Sequence, residues 1–160
     1  MEIKNSFRLE DNRIIHTRLL QAPIELVWEV WTNPEHFKKW WGPTGFTLTI
    51  HSMEVEAGKF LNSIMHGWGR DFQNMVEYVE VIRPTLLAYK LKGEREDYDF
   101  SVRISFESVE NKTLMVMEST FKSREIIEEL NLKVNAIESG KQTLNRLENY
   151  LQTLVSDLKL

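Results

Sequence analysis

Residues 100–107 alternate without a break. Phe100, Val102, Ile104 and Phe106 are apolar, while Ser101, Arg103, Ser105 and Glu107 are polar or charged. Successive strand side chains point to opposite faces, so this segment predicts a strand with one dry face and one wet face. Such alternation is typical of an antiparallel sheet covered on one side only. A second pattern closes the chain. Ile137, Gly140, Leu144, Leu147, Leu151, Leu154 and Leu158 recur at steps of three and four. That spacing predicts a long amphipathic helix with one buried face.

The remaining elements follow from breakers and caps. Arg13 to Ala22 reads as a strand. Pro23 suits the start of a helix, and Ile24, Val27, Trp28 and Trp31 follow at helical spacing. Asn33-Pro34 ends that helix and opens another, with Asn33 as its N-cap and Phe37, Trp40 and Trp41 on one side. Gly42-Pro43 ends the second helix. Segments near 46–56, 59–66, 71–82, 86–92, 98–108 and 113–121 read as six further strands. Ala57-Gly58, Gly67-Trp68-Gly69, Arg83-Pro84, Gly93 and Asn111-Lys112 mark the breaks between them. Gly67-Trp68-Gly69 lies between two strands, so it predicts a hairpin turn rather than a phosphate loop. Ser123 caps the C-terminal helical region, which starts either there or after Asn131. Residues 1–12 are polar and read as a loose lead-in to one domain over 13–160.

Composition removes several chemistries. The chain has 160 residues and no cysteine, which excludes disulfides, iron–sulfur clusters, thiolate zinc sites and a cysteine nucleophile. Its net charge of −4 predicts no general attraction to nucleic acid. No apolar run approaches the roughly 20 residues of a membrane span, and the first residues lack a signal-peptide apolar core. A soluble cytoplasmic protein, monomer or homodimer, is expected. His16, His36, His51 and His66 show no metal-ligand spacing, and no cofactor is implied.

The order strand, two short helices, six strands, long helix is that of an α+β helix-grip fold. In that fold a curved antiparallel sheet, here of about seven strands, wraps around a C-terminal helix. The wording narrows it. Thr17-Arg18, Ala22-Pro23, Val27-Trp28, Trp31-Thr32, Asn33-Pro34, Phe37, Trp40-Trp41-Gly42-Pro43 and Gly45-Phe46-Thr47 resemble the family named for activators of the heat-shock-protein-90 ATPase. That family belongs to the START and Bet v allergen-like (SRPBCC) superfamily. Asn74, Tyr78, Glu80-Val81, Pro84, Leu144, Leu147 and Tyr150-Leu151 continue the resemblance, which spans about Ile14 to Leu151. Three departures stand out. Ala57-Gly58 replaces two glycines, Gly140-Lys141 replaces Gly-Trp, and the stretch before Gly140 is longer. The cavity mouth is therefore expected to differ from that of relatives.

A sheet wrapped around a helix leaves space for a small molecule. Strand parity gives the inward residues as Phe60, Asn62 and Ile64; Asn74, Val76 and Tyr78; Leu87 and Tyr89; Phe100, Val102 and Ile104; Met115 and Met117. Ligand-binding candidates are Trp40, Trp41, Phe60, Ile64, Asn74, Tyr78, Tyr89, Phe100, Val102, Ile104, Met115, Met117, Gly140 and Leu144. Gly140 either leaves ligand room or marks a close approach or kink. Trp40 and Trp41 either cover the cavity mouth or anchor the short helices. Four of the five tryptophans fall in those helices, beside the proposed mouth, and Trp68 falls in the hairpin turn. Met115 and Met117 form an adaptable wall or ordinary core. Glu80 either faces inward as an acid or base, or pairs with Arg83 or Arg103. His66 and Tyr89 are further polar candidates for the cavity.

Three functions compete. One is a binding module for a small hydrophobic or aromatic molecule. The second is a co-chaperone, which the resemblance alone implies. The third is a cyclase-like or hydratase-like enzyme, which needs an acid or base aimed into the cavity.

Overall fold

The alternating segment forms strand β7, Phe100–Val109, with Val102, Ile104 and Phe106 buried and Ser101, Arg103 and Ser105 exposed. In chain order before it come β1 (Ser6–Glu10), β2 (Arg13–Leu20), α1 (Ile24–Thr32) and α2 (Pro34–Phe37). Then follow β3 (Thr47–Met53), β4 (Phe60–Gly67), β5 (Arg70–Ile82) and β6 (Leu86–Leu91). After β7 come β8 (Lys112–Thr120), α3 (Arg124–Val134) and α4 (Ala136–Leu158). The computed structural model describes residues 4–158; the outermost residues of the expected lead-in and the side chain of Leu158 lie outside them.

The eight strands make one antiparallel sheet in the order β1-β2-β8-β7-β6-β5-β4-β3. This is the expected α+β helix-grip architecture with one strand added. The extra strand corrects the reading of residues 1–12 as a loose lead-in. Ser6–Glu10 pairs with β2 from Ser6↔Thr17 to Glu10↔Arg13, and Phe7 and Leu9, which alternate with Ser6, Arg8 and Glu10, pack against the small core cluster of Ile14, Phe121 and Ile127.

The two short helices form for the reasons their caps suggest. Pro23 is extended just ahead of α1, and its carbonyl accepts from the N–H groups of Leu26 and Val27. The Asn33 side chain accepts from the Glu35 N–H and starts α2. That helix is a single turn ending at Phe37, so Trp40 and Trp41 lie in the turn beyond it. Arg146 of α4 holds this turn. Its guanidinium donates to the carbonyl oxygens of Gly42 at 2.9 Å and Pro43 at 3.0 Å. These charge-assisted bonds tie the turn after α2 to α4.

The C-terminal region settles both alternatives at once. Ser123 accepts from the Ile126 N–H and opens α3, and Asn135, in the left-handed region at φ 51°, closes it. The long helix α4 then begins at Ala136. Its Leu144, Leu147 and Leu151 are buried against the sheet, where they join Leu20, Ile104, Met115 and the α1 tryptophans in the main core.

Parity holds in β5 and β7 but reverses in β4. Phe60, Asn62 and Ile64 point away from the core, with Phe60 46% exposed, whereas Leu61, Ser63 and Met65 point inward. Both alternations of this strand carry apolar residues, so periodicity alone does not choose the face, and a one-residue change in register exchanges them.

Candidate functional site

The half of α4 that begins at Ala136 does not seat fully on the sheet. A cavity of about 340 Å³ remains between α3, the start of α4 and the inner face of the sheet. Its floor is β2, β8 and β7, through Ile14, His16, Met117, Ser119 and Phe100. Leu130 and Val134 of α3 form part of the roof, together with Gly140 and Leu144 of α4. The stretch before Gly140 thus supplies part of the cavity wall, through Leu130, Val134, Ala136 and Ile137. Most of the lining is carbon, apart from a few polar groups, and the volume falls in the range typical of small-molecule sites.

Six of the candidate residues line this space: Trp41, Asn74, Phe100, Met117, Gly140 and Leu144. Six others are buried elsewhere. Trp40, Val102, Ile104 and Met115 pack in the main core, and Tyr78 and Tyr89 flank a separate void of about 10 Å³. Phe60 and Ile64 face outward. Glu80 also lies on the outer face, past a bulge after Tyr78, where it pairs with Arg103 at 3.2 Å. His66 bonds Thr49 at 2.7 Å and Asp71 at 2.8 Å, away from the cavity. Burial pushes both tyrosine hydroxyls far up, so neither supplies a proton near neutral pH.

Gly140 is explained by space rather than by packing. A Cβ built there would meet only His16 Nε2, at 3.6 Å, which is ordinary contact. The helix does not approach the sheet closely at this point, so close packing does not require the glycine. What the missing side chain preserves is cavity volume beside His16.

The tryptophans exchange roles. Trp28, Trp31 and Trp40 are core, and Trp41 touches both core and cavity. Trp68, which spacing places in a hairpin turn, stands at the cavity rim, 55% exposed, edge-on to Phe46 at 4.8 Å and Phe72 at 5.8 Å. Gly67 lets this group close up, since a Cβ there would lie 2.5 Å from the Phe46 ring. Trp68 and Gly69 form the two-residue loop between β4 and β5, with φ of 53° and 75°. Two positive φ values mark a type I′ turn, which favours Asn-Gly and costs a bulky residue about 1–2 kcal/mol. Trp68→Asn is therefore expected to raise unfolding stability by about 1 kcal/mol while weakening binding of an apolar molecule severalfold. Urea denaturation and ligand titration on the same preparation check both halves; a variant less stable than wild type would contradict the turn argument.

The polar groups of the cavity are few. Asn74 is already engaged: it donates to Ser63 Oγ at 3.0 Å and accepts from Trp41 Nε1 at 3.4 Å. His16 is different. It is 5% exposed, and its Nδ1 has no hydrogen-bond partner. Burial, and then the cations of Arg18 and Lys141, pull its imidazole down to about 4. An unfolded histidine titrates near 6.5, so the unfolded chain binds more protons between those values. Stability is complete above about pH 6.5 and falls as the pH drops, by about 3 kcal/mol near pH 4. In His16→Gln that acid limb should flatten by a similar amount in unfolding free energies measured at pH 7 and pH 4. Parallel curves for the two proteins would contradict a neutral buried imidazole.

A family model, described as activator of Hsp90 ATPase homolog 1-like protein, matches residues 21–152. The chain belongs to this family. Solved structures agree on the fold. An Arthrobacter aurescens protein aligns at TM-score 0.85 and 20% identity, covering 92% of this chain and 91% of its own. A Mycobacterium smegmatis protein aligns at TM-score 0.79 and 18% identity, covering 93% and 96%. A Staphylococcus epidermidis protein aligns at TM-score 0.78 and 24% identity, covering 92% and 94%. At these identities the likeness shows the fold alone. No curated protein matches the chain. The Trp40-Trp41-Gly42-Pro43 motif that carries the family resemblance is the turn that Arg146 ties to α4, with Trp40 buried beneath it. Among the described residues, no helix is long and apolar enough to cross a membrane.

Proposed function

We propose that this family member binds a small hydrophobic or aromatic molecule in the cavity between the sheet and the C-terminal helices. The cavity itself carries this reading: about 340 Å³, lined mainly by apolar side chains, with a glycine where an alanine would fit. Methionines at 65 and 117 and aromatic side chains at 41, 46, 68, 72, 100 and 121 supply adaptable and polarisable walls. Trp68 at the rim supplies the readout. Titration with small apolar molecules should change its fluorescence saturably, at one molecule per chain. A linear, non-saturating response to every compound would overturn the reading.

The family name supports a second reading, a co-chaperone acting on the heat-shock-protein-90 ATPase. Addition of the protein to the cognate chaperone would then change its ATP turnover, and an unchanged rate across a range of concentrations would dismiss it. A cyclase-like reaction has less support. Glu80, His66 and Tyr78, its candidate acids and bases, do not line the cavity.

A further inference from the structure

The floor of the cavity has a polar corner, and its chemistry is lopsided. His16 and Ser119 lie on adjacent strands, β2 and β8, both facing inward. The register pairs His16 with Met117 and Ile14 with Ser119, so the two polar residues are diagonal neighbours on the floor. Both line the cavity, and the buried His16 Nδ1 has no hydrogen-bond partner among the described residues. Unpaired polar groups in an apolar setting cost free energy that a matching ligand group recovers.

The unmatched charge around this corner is positive. Arg18, next on the same face of β2, is already matched by Glu148 at 3.1 Å and Asn145 at 2.9 Å. Lys141, beside Gly140 on α4, sits over the Phe7 ring at 4.4 Å and has no acidic partner among the described residues. Phe7 of β1 and Met117 of β8 close the remaining sides with apolar groups. Lys92 lines the rim, and no Asp or Glu lines the cavity among the described residues.

We propose that the ligand is an apolar monocarboxylic acid whose carboxylate seats between His16 and Ser119, with its hydrocarbon part along Met117, Phe100 and Leu144. This rests on the reading of the cavity as a binding site and adds its head-group chemistry. A buried carboxylate needs donors and a nearby cation. Ser119 donates its hydroxyl, His16 donates from a ring nitrogen, and Lys141 supplies charge at short range. The arriving anion favours protonated imidazole, so binding draws a proton from solvent onto His16. At liquid-like density the cavity holds roughly a dozen non-hydrogen atoms, which suits decanoic acid as a probe.

Calorimetric titration of the whole protein with decanoic acid and 1-decanol tests this, near pH 6 and pH 7.5 and in two buffers of different ionisation enthalpy. The acid should bind about tenfold tighter than the alcohol near pH 6, as expected for a charge-assisted contact. Its affinity should rise as the pH falls, with net proton uptake. His16→Gln should remove most of that preference and the uptake. Equal affinities for acid and alcohol in the wild-type protein would overturn the head-group assignment while leaving the cavity as a binding site. Failure of both probes to bind would overturn the two together. The comparison of acid with alcohol needs no variant, so it holds even if His16→Gln folds poorly.

Discussion

Trp40→Ala is expected to destabilise the protein by about 3–5 kcal/mol, the range for truncating a large buried aromatic. Trp40 is fully buried, with ring centroids 4.7 Å from Trp31, 5.2 Å from Phe37 and 5.6 Å from Trp41. Its Nε1 donates to the Val30 carbonyl at 3.0 Å, so truncation removes a contact hub and one partner of a buried bond. The same ring does not line the cavity. The folded variant should therefore bind apolar molecules within about twofold of wild type, a difference well under 1 kcal/mol. The urea midpoint checks the first part and titration below it checks the second. A loss under about 1 kcal/mol would mean that the aromatic cluster is not the anchor of the short helices. A loss of binding with little loss of stability would move Trp40 to the cavity wall.

Gly140→Leu should have the opposite signature. Glycine within a helix is worth about 1 kcal/mol less than a good helix former, so the substitution favours α4 locally. Space permits the first side-chain carbon, because only His16 Nε2 lies within 4 Å of it. The rest of the leucine must enter the cavity. Stability should hold or rise, while affinity for an apolar molecule falls by more than about tenfold, some 1.4 kcal/mol. Thermal unfolding and ligand titration read the two effects separately. A variant that unfolds at much lower temperature would contradict open space at this position, and one that binds as well as wild type would place the ligand elsewhere.

These two positions show what the sequence carries and what it omits. The order of elements was legible because breakers, caps and two clean periodicities agree on it: the 100–107 alternation and the stripe from Ile137 to Leu151. Gly140 stood out for a local reason, an unfavourable helix residue inside an apolar stripe. The face of β4 was not legible, because Phe60 and Ile64 compete with Leu61 and Met65, and only pairing with Asn74 and its neighbours selects between them. Trp68 was missed as a wall residue because a hairpin turn says nothing of where its tip lands in space. Its one signal was a bulky residue before glycine, where a type I′ turn favours asparagine. His16 gave no signal either. A lone histidine on a strand becomes an unpaired buried group only once Gly140, more than 120 positions later, is folded over it. The β1 strand did carry a signal, Phe7 and Leu9 alternating with Ser6, Arg8 and Glu10, but five residues make a short periodicity, and pairing with β2 is what fixes it.

The central claim, an apolar binding cavity beside Gly140, is tested most directly by native mass spectrometry. The wild-type protein and Gly140→Leu would be incubated with the same mixture of small apolar molecules. A one-to-one complex in the wild type that is lost in the variant is the predicted result. Bare spectra for both proteins, or equal complexes in both, would contradict it.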